Sequence, residues 1–207
     1  MEHKYRYFRD PHHFSSYEAA PERCDICGET RPGYGGVYYG ISEDVDFVCE
    51  PCMIAGRIAE KGQQTNDGNI ELVSEQLQQR NPVWSAEQVT SVADERLLEL
   101  HTRTPGMVTW QDTDFPVHCG DFCCFLKNAG RPDYKAISEL HDGYDAWFAS
   151  MDFSGYKLSE VAEQAKFLWE ECLRDDSPKD GETASSAEFY LFQCLVCGTY
   201  ITLWDQE

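Results

Sequence analysis

Basic residues are scarce in this chain: 17 Lys and Arg stand against 37 Asp and Glu, for a formal charge of −20 over 207 residues. The deficit is spread evenly. Residues 1–60 hold 11 acids and 6 bases, 61–117 hold 9 and 4, and 118–207 hold 17 and 7, so no third supplies the Lys- and Arg-rich face that neutralises phosphates. Nucleic acid is therefore not an expected partner. Long hydrophobic runs are also missing, since the densest, Phe122-Cys123-Cys124-Phe125-Leu126, is five residues long, against about 20 for a membrane-spanning helix. No membrane association is expected. Met1 to Asp10 contains no apolar stretch of the kind a secretory signal needs, which makes a cytoplasmic location the expectation.

Core-forming residues, in contrast, are plentiful. Hydrophobic residues make up 42% and aromatic ones 13% of the chain, enough to exclude wholesale disorder. The length suits one domain or two small ones. Ten cysteines remain to be explained. In a reducing cytosol, closely paired cysteines are read as metal ligands or redox centres rather than as a disulfide framework.

The unit Cys-x-x-Cys-Gly occurs twice, at Cys24–Gly28 and at Cys194–Gly198. Ala187–Gln193 and Thr199–Trp204 flank the second with aromatic and β-branched residues, predicting two strands that meet in a zinc knuckle. Residues 37–41 and 45–48 predict a hairpin leading into Cys49. Helices are predicted from Met53 to Glu60, from Ile70 to Gln79, from the capping box Ser85-Ala86-Glu87-Gln88 toward His101, and from Ser159 toward Asp175, with a short strand over Met107 to Trp110. Residues 175–186 read as a loop. The fold class predicted is α+β, with zinc-ribbon-like hairpins and knuckles at both ends of a helical middle region. The expected division is an N-terminal zinc-ribbon-like region, 1–62, and a helical and C-terminal knuckle region, 63–207, packed as one compact unit.

Cys24-x2-Cys27 and Cys49-x2-Cys52, 21 residues apart, are expected to supply two hairpin-borne pairs of soft ligands to a tetrahedral Zn2+. Four thiolates would fill its coordination sphere, so the site is structural rather than catalytic. For Cys194 and Cys197 the partners are sought in His118-Cys119-Gly120-Asp121-Phe122-Cys123-Cys124. A helical spacing would set Cys119 and Cys123 on one face, and the expected second set is Cys119, Cys123, Cys194 and Cys197, with His118 or Cys124 as the replacements that stay open. Cys172 is read as a small buried hydrophobe. His3, His12, His13, His101 and His141 lack ligand spacing to the cysteines and are read as surface or capping residues.

The rival reading is an enzyme, a metal-dependent hydrolase or thiol-redox protein working through residues 118–124. Adjacent residues such as His118 and Cys119 rarely face each other productively, and a zinc-held thiolate loses nucleophilic freedom. The zinc-deaminase signature fails, because Pro51-Cys52-Met53-Ile54 is followed by Ala55 where a second cysteine is needed. Neither knuckle has the βαβ context of a thioredoxin-like motif. No catalytic residue is expected.

Taken together, an aromatic N-terminal stretch ending Asp10-Pro11, Cys24-x2-Cys27-Gly28, Cys49-Glu50-Pro51-Cys52-Met53-Ile54-Ala55-Gly56, Arg103-Thr104-Pro105-Gly106, Trp110-Gln111, His118-Cys119-Gly120-Asp121 and Tyr190–Gly198 form an ordered set. The sequence resembles the CbrC family of bacterial proteins from about Tyr7 to Trp204. The resemblance implies a bacterial cytoplasmic protein linked to colicin tolerance, with no catalytic activity attached. A negative field attracts basic proteins, so the expected partner is a basic protein such as a nuclease toxin. The tract 133–182, with Asp142, Asp145, Glu170, Glu171, Asp175 and Asp176, is the acidic surface offered to it. Oligomeric state is not set by any of these features.

Overall fold

The computed structural model describes residues 4–36, 38–40, 45–109, 111, 113–138, 142–153, 155–177 and 187–206. His3, His141, Trp110 and most of the predicted loop 175–186 lie outside the described residues. By contact density the chain divides into two units, Met1–Cys124 with Cys194–Cys197, and Phe125–Gln193 with Gly198–Glu207. The expected regions 1–62 and 63–207 do not follow that division, because the helices just after residue 62 pack within the first unit.

In the first unit a short helix α1 (Pro11–Phe14) precedes β1 (Tyr17–Arg23) and β2 (Thr30–Gly35). β3 (Tyr39–Gly40) and β4 (Phe47–Cys49) follow, then α2 (Glu50–Ile54) and a 3-10 turn, Arg57–Lys61. The main sheet is antiparallel in the order β1-β2-β4. The hairpin expected over 37–48 is thus replaced. Tyr39 and Gly40 pair with β5 (Gln63–Gln64), whereas Phe47 to Cys49 pair with β2. Asp25 explains the choice, because its carboxylate accepts from the N–H groups of Asp46 and Phe47, both at 2.9 Å. Its own N–H donates to the Phe47 carbonyl at 3.0 Å. Phe47, Val48 and Cys49 are all buried.

β6 (Asp67–Gly68) leads into α3 (Ile70–Arg80) and α4 (Ala86–Arg103), close to the predicted spans. Asn69 caps α3 through Leu72 N–H at 2.9 Å. The capping box of α4 is complete: Gln88 N–H donates to Ser85 Oγ, and Ser85 N–H donates to the Gln88 side chain. Such caps are worth about 1 kcal/mol each. Val73, Leu77, Val89, Ala93 and Leu100 form the buried stripes of the two helices. Past Thr104, the Asn66 and Thr65 side chains gather the carbonyls of His101, Thr104 and Pro105. The strand expected over 107–110 is reduced, among the described residues, to one bridge between Ser15 and Met107. β7 (Asp114–Phe115), parallel to β6, is followed by the hairpin β8 (Val117–His118) and β9 (Asp121–Phe122).

The second unit is a three-stranded sheet, β10 (Cys124–Asn128), β11 (Ala187–Gln193) and β12 (Tyr200–Gln206), in that order, with helices α5 (Arg131–Ile137), α6 (Tyr144–Ser150) and α7 (Leu158–Phe167). Trp147 is fully buried and its ring meets Tyr144, Phe153, Trp169 and Phe189. Cys172 is buried in that same core, as a small hydrophobe would be. The helix expected to be capped by Ser159 starts two residues earlier, with Lys157 at the N-cap position and no side-chain cap, and its last turn, Leu168–Cys172, widens into a π-turn closed by Leu173 N–H on the Leu168 carbonyl at 2.8 Å. That widening breaks the 3.6-residue period on which the sequence reading rested.

Candidate metal centres

The two Cys-x-x-Cys-Gly units fold alike. Arg23 pairs with Thr30 and Gln193 with Tyr200, so each unit is a six-residue loop closing an antiparallel hairpin. Gly28 and Gly198 adopt φ of +75° and +76°, a region open to glycine and costly for residues with a Cβ. The turn leaves both sulfurs pointing the same way.

At the first loop, the sulfurs of Cys24, Cys27, Cys49 and Cys52 all lie within 4.8 Å of one another. The second pair is not carried by a hairpin, as the sequence suggested. Cys49 ends β4 in an extended conformation and caps α2, while Pro51 and Cys52 lie in the helix's first turn. Proline is at home there because its missing N–H has no helical acceptor to lose. Cys27 and Cys49 Sγ are 3.7 Å apart, which matches the edge of about 3.8 Å expected for a tetrahedron with metal–sulfur bonds of about 2.3 Å. Cys49 N–H donates to Cys24 Sγ at 3.3 Å, and the Arg57 guanidinium donates to Cys52 Sγ at 3.6 Å. Burial pushes the Cys24 thiol up, but N–H groups of Cys49, Cys27 and Ile26 outweigh it and bring it down to about 7. Burial and the neighbouring sulfurs raise Cys52. One ligand is thus predisposed to ionise, and a cation would drive off the remaining protons.

At the second loop the group is His118, Cys119, Cys194 and Cys197, again within 4.8 Å. His118 stands where Cys123 was expected. The expectation assumed a helix over 119–123, but this segment is a tight hairpin. Cys119 and Gly120 form its two-residue turn with φ of +59° and +78°, the signature of a primed turn. Cys123 lies at the opposite end of the ladder, where its N–H donates to the Pro116 carbonyl at 2.8 Å. It is fully buried, and burial raises its thiol. Cys124 is buried as well, and desolvation lifts it to about 11 although Arg9 opposes the shift. Neither is in the group. His118 Nδ1 is 3.3 Å from Cys197 Sγ, near the edge of about 3.5 Å that a tetrahedral site with one imidazole and one thiolate requires.

The hairpin is fixed from outside. Gly120 N–H donates to Gln76 at 2.8 Å, and Arg96 donates to the Gly120 carbonyl. Asp121, buried, accepts from Arg6 at 2.6 Å, Tyr7 at 2.8 Å and its neighbour Phe122 N–H at 2.9 Å. Sequence reasoning missed Arg6, Tyr7, Gln76 and Arg96, since nothing local links residues so distant to a turn at 119–120. Of the remaining histidines, His12 stacks on Tyr17 and bonds Glu50, His13 pairs with Asp10, and His101 is half-buried, 3.5 Å from Asp67 rather than on the surface.

Four soft donors converge in each group, a donor set that fits a closed tetrahedral metal centre. With four protein ligands every position of such a centre would be occupied, leaving none for water or substrate. Asp142, Asp145, Glu170, Glu171, Asp175 and Asp176 are all exposed, and three of them ion-pair: Asp175 with Arg131, Asp176 with Arg174 and Glu170 with Lys166. No helix among the described residues is long and apolar enough to cross a membrane.

Similarity to known proteins extends over nearly the whole chain. The chain is 26% identical over 203 residues to UPF0167 protein Mb2317 of Mycobacterium bovis, covering 98% of this chain and 92% of that protein. It is 25% identical over 197 residues to UPF0167 protein PA1536 of Pseudomonas aeruginosa, covering 94% and 91%. No solved structure matches. The model of the uncharacterised protein family UPF0167 matches residues 3–206, and the chain belongs to that family.

Proposed function

We propose that this chain is a non-enzymatic zinc protein of the cytosol whose two metal centres are structural, and that it works as an acidic binding module for a basic protein. The observation that carries the metal half is the convergence of two four-ligand groups, each within 4.8 Å, from loops 22 to 79 residues apart in sequence. Chance rarely brings four thiol or imidazole donors together. Zinc is the ion of choice because the sulfur-rich sets favour a borderline-soft, tetrahedral, redox-inert cation. A dication held by four thiolates carries about −2 and one held by three thiolates and an imidazole about −1, so both centres add to the negative field.

The binding half rests on that charge, −20 before any metal is counted, and on the resemblance to the CbrC family, which links such chains to colicin tolerance. A nuclease toxin presents a basic surface to its polyanionic substrate, and an acidic protein is suited to cover it. Metal analysis of the purified chain is expected to return two zinc ions. Affinity capture from the native host should recover a basic protein that a charge-reversed variant of 142, 145, 170 and 171 does not retain. Equal capture by both would remove the binding half while leaving the metal half standing.

A further inference from the structure

The two centres differ in exposure more than in chemistry. Three sulfurs of the first, Cys24, Cys49 and Cys52, belong to residues no more than 3% exposed, and Cys27 is half-buried. In the second, Cys197 is exposed, alone among the eight ligand residues, and the loop that carries it shows Leu195 and Val196 42% and 51% exposed. Its loop partner Cys194 is buried and accepts from Val196 N–H at 3.4 Å. Sulfurs in both centres accept hydrogen bonds, Cys24 from the Cys49 N–H, Cys52 from Arg57 and Cys194 from the Val196 N–H, so access to solvent is what separates the two.

We infer that Cys194-x-x-Cys197 is a peroxide-sensitive dithiol, through which the second centre alone releases its zinc on oxidation. The inference rests on the two-zinc reading. Cys197 thiolate attacks one oxygen of hydrogen peroxide, forming an S–O bond as the O–O bond breaks, and the departing hydroxide takes a proton to become water. Cys194 thiolate then attacks the sulfenic sulfur, forming the disulfide and expelling a second hydroxide, which also leaves as water. Two thiolates have given two electrons, one peroxide has become two waters, and two protons have come from solvent. His118 and Cys119 remain as two ligands, too few to hold the ion against water. The sulfurs already lie within 4.8 Å of one another, so closing the bond needs only a local movement of the exposed loop.

The test uses the full chain carrying its metal. Zinc content is measured first, then hydrogen peroxide is added in near-stoichiometric amount while a chromogenic indicator follows free zinc, and the cysteines are mapped by differential alkylation and peptide mass spectrometry. Expected are release of one zinc of the two and a bridged 194–197 peptide. Cys24, Cys27, Cys49 and Cys52 should react about tenfold more slowly, and dithiothreitol with added zinc should restore the starting state. Two zinc ions that leave together, a first-centre disulfide that forms first, or zinc release with no 194–197 bridge would each overturn this inference alone. A chain purified without zinc overturns the metal reading itself, and this inference with it.

Discussion

His118 and Asp121 face each other across the last rung of the β8–β9 hairpin, yet their side chains serve different masters. His118 Nδ1 reaches Cys197 Sγ at 3.3 Å, while the Asp121 carboxylate, 2% exposed, is held by Arg6 and Tyr7. One residue supplies a ligand and the other ties the ligand-bearing turn to the N-terminal segment. The two side chains thus engage different partners rather than each other.

Asp121→Asn keeps the shape but removes the charge that Arg6 and Tyr7 address. Hydrogen bonds to a charged group contribute about 1.5–3 kcal/mol, so a loss of about 2 kcal/mol is expected, visible as a lower midpoint in urea. Zinc should also leave the second centre faster under a chelator, with the first unchanged. Equal chelation rates at both centres in the variant and the parent would contradict the positioning role.

Gly120→Ala and Gly28→Ala separate backbone strain from crowding. Both positions have φ near +75°, where a Cβ costs about 1–2 kcal/mol. At Gly28 nothing lies within 4 Å of the added carbon, whereas at Gly120 it would sit 3.0 Å from the Leu77 backbone nitrogen and 3.1 Å from Leu77 Cγ. The Gly120 variant should therefore be the less stable of the two by at least about 1 kcal/mol, measured by thermal unfolding.

Cys52→Ser should reduce zinc content from two to one. Structural zinc contributes on the order of 10 kcal/mol to the folding of a small metal-dependent unit, comparable with the whole stability of a domain. The amides of β1, β2 and β4 are expected to lose hydrogen-exchange protection while those of β11 and β12 keep theirs. A strong chelator added to the parent chain strips both groups, and should extend the loss of protection to the 194–199 loop and the β8–β9 hairpin.

Glu188 pairs with Asp205 across β11 and β12, and both are about 4% exposed. Desolvation raises the Glu188 carboxyl, with Asn128 and Arg174 opposing and Asp205 reinforcing the shift. For an acid raised in the folded state, stability is unaffected below the ordinary carboxylate pKa of about 4.3 and falls as pH climbs from there to the folded value. Glu188→Gln removes that cost. It should flatten the stability profile above about pH 4.5 and leave the variant as stable as the parent or more so at pH 7; a variant clearly less stable at pH 7 would show that the ionised form is favoured instead.

Local signals proved readable. The capping box at Ser85, the apolar spacing of α3 and α4, and both Cys-x-x-Cys-Gly loops are short-range patterns, and the residues at each carry their own reasons for the shape they take. Cys119 and Cys123 misled because a spacing of four has meaning only on a helix. Two consecutive left-handed residues at 119–120 turned the segment into a hairpin, and a non-glycine in that conformation leaves no trace in composition. Residues 37–48 misled for a similar reason: adjacency favours a local hairpin, but Asp25, more than twenty residues earlier, captures the N–H groups of Asp46 and Phe47.

What the sequence determined by itself was chemistry: ten cysteines, six of them in three Cys-x-x-Cys pairs, and a charge of −20, which point to sulfur ligands and away from a phosphate-binding surface. The tertiary structure alone decided that His118 rather than Cys123 joins Cys119, Cys194 and Cys197, because a ligand set depends on where side chains meet, and that is set by turns and by anchors such as Asp121. It also decided which centre faces solvent, since exposure is a property of packing and no spacing of cysteines encodes it.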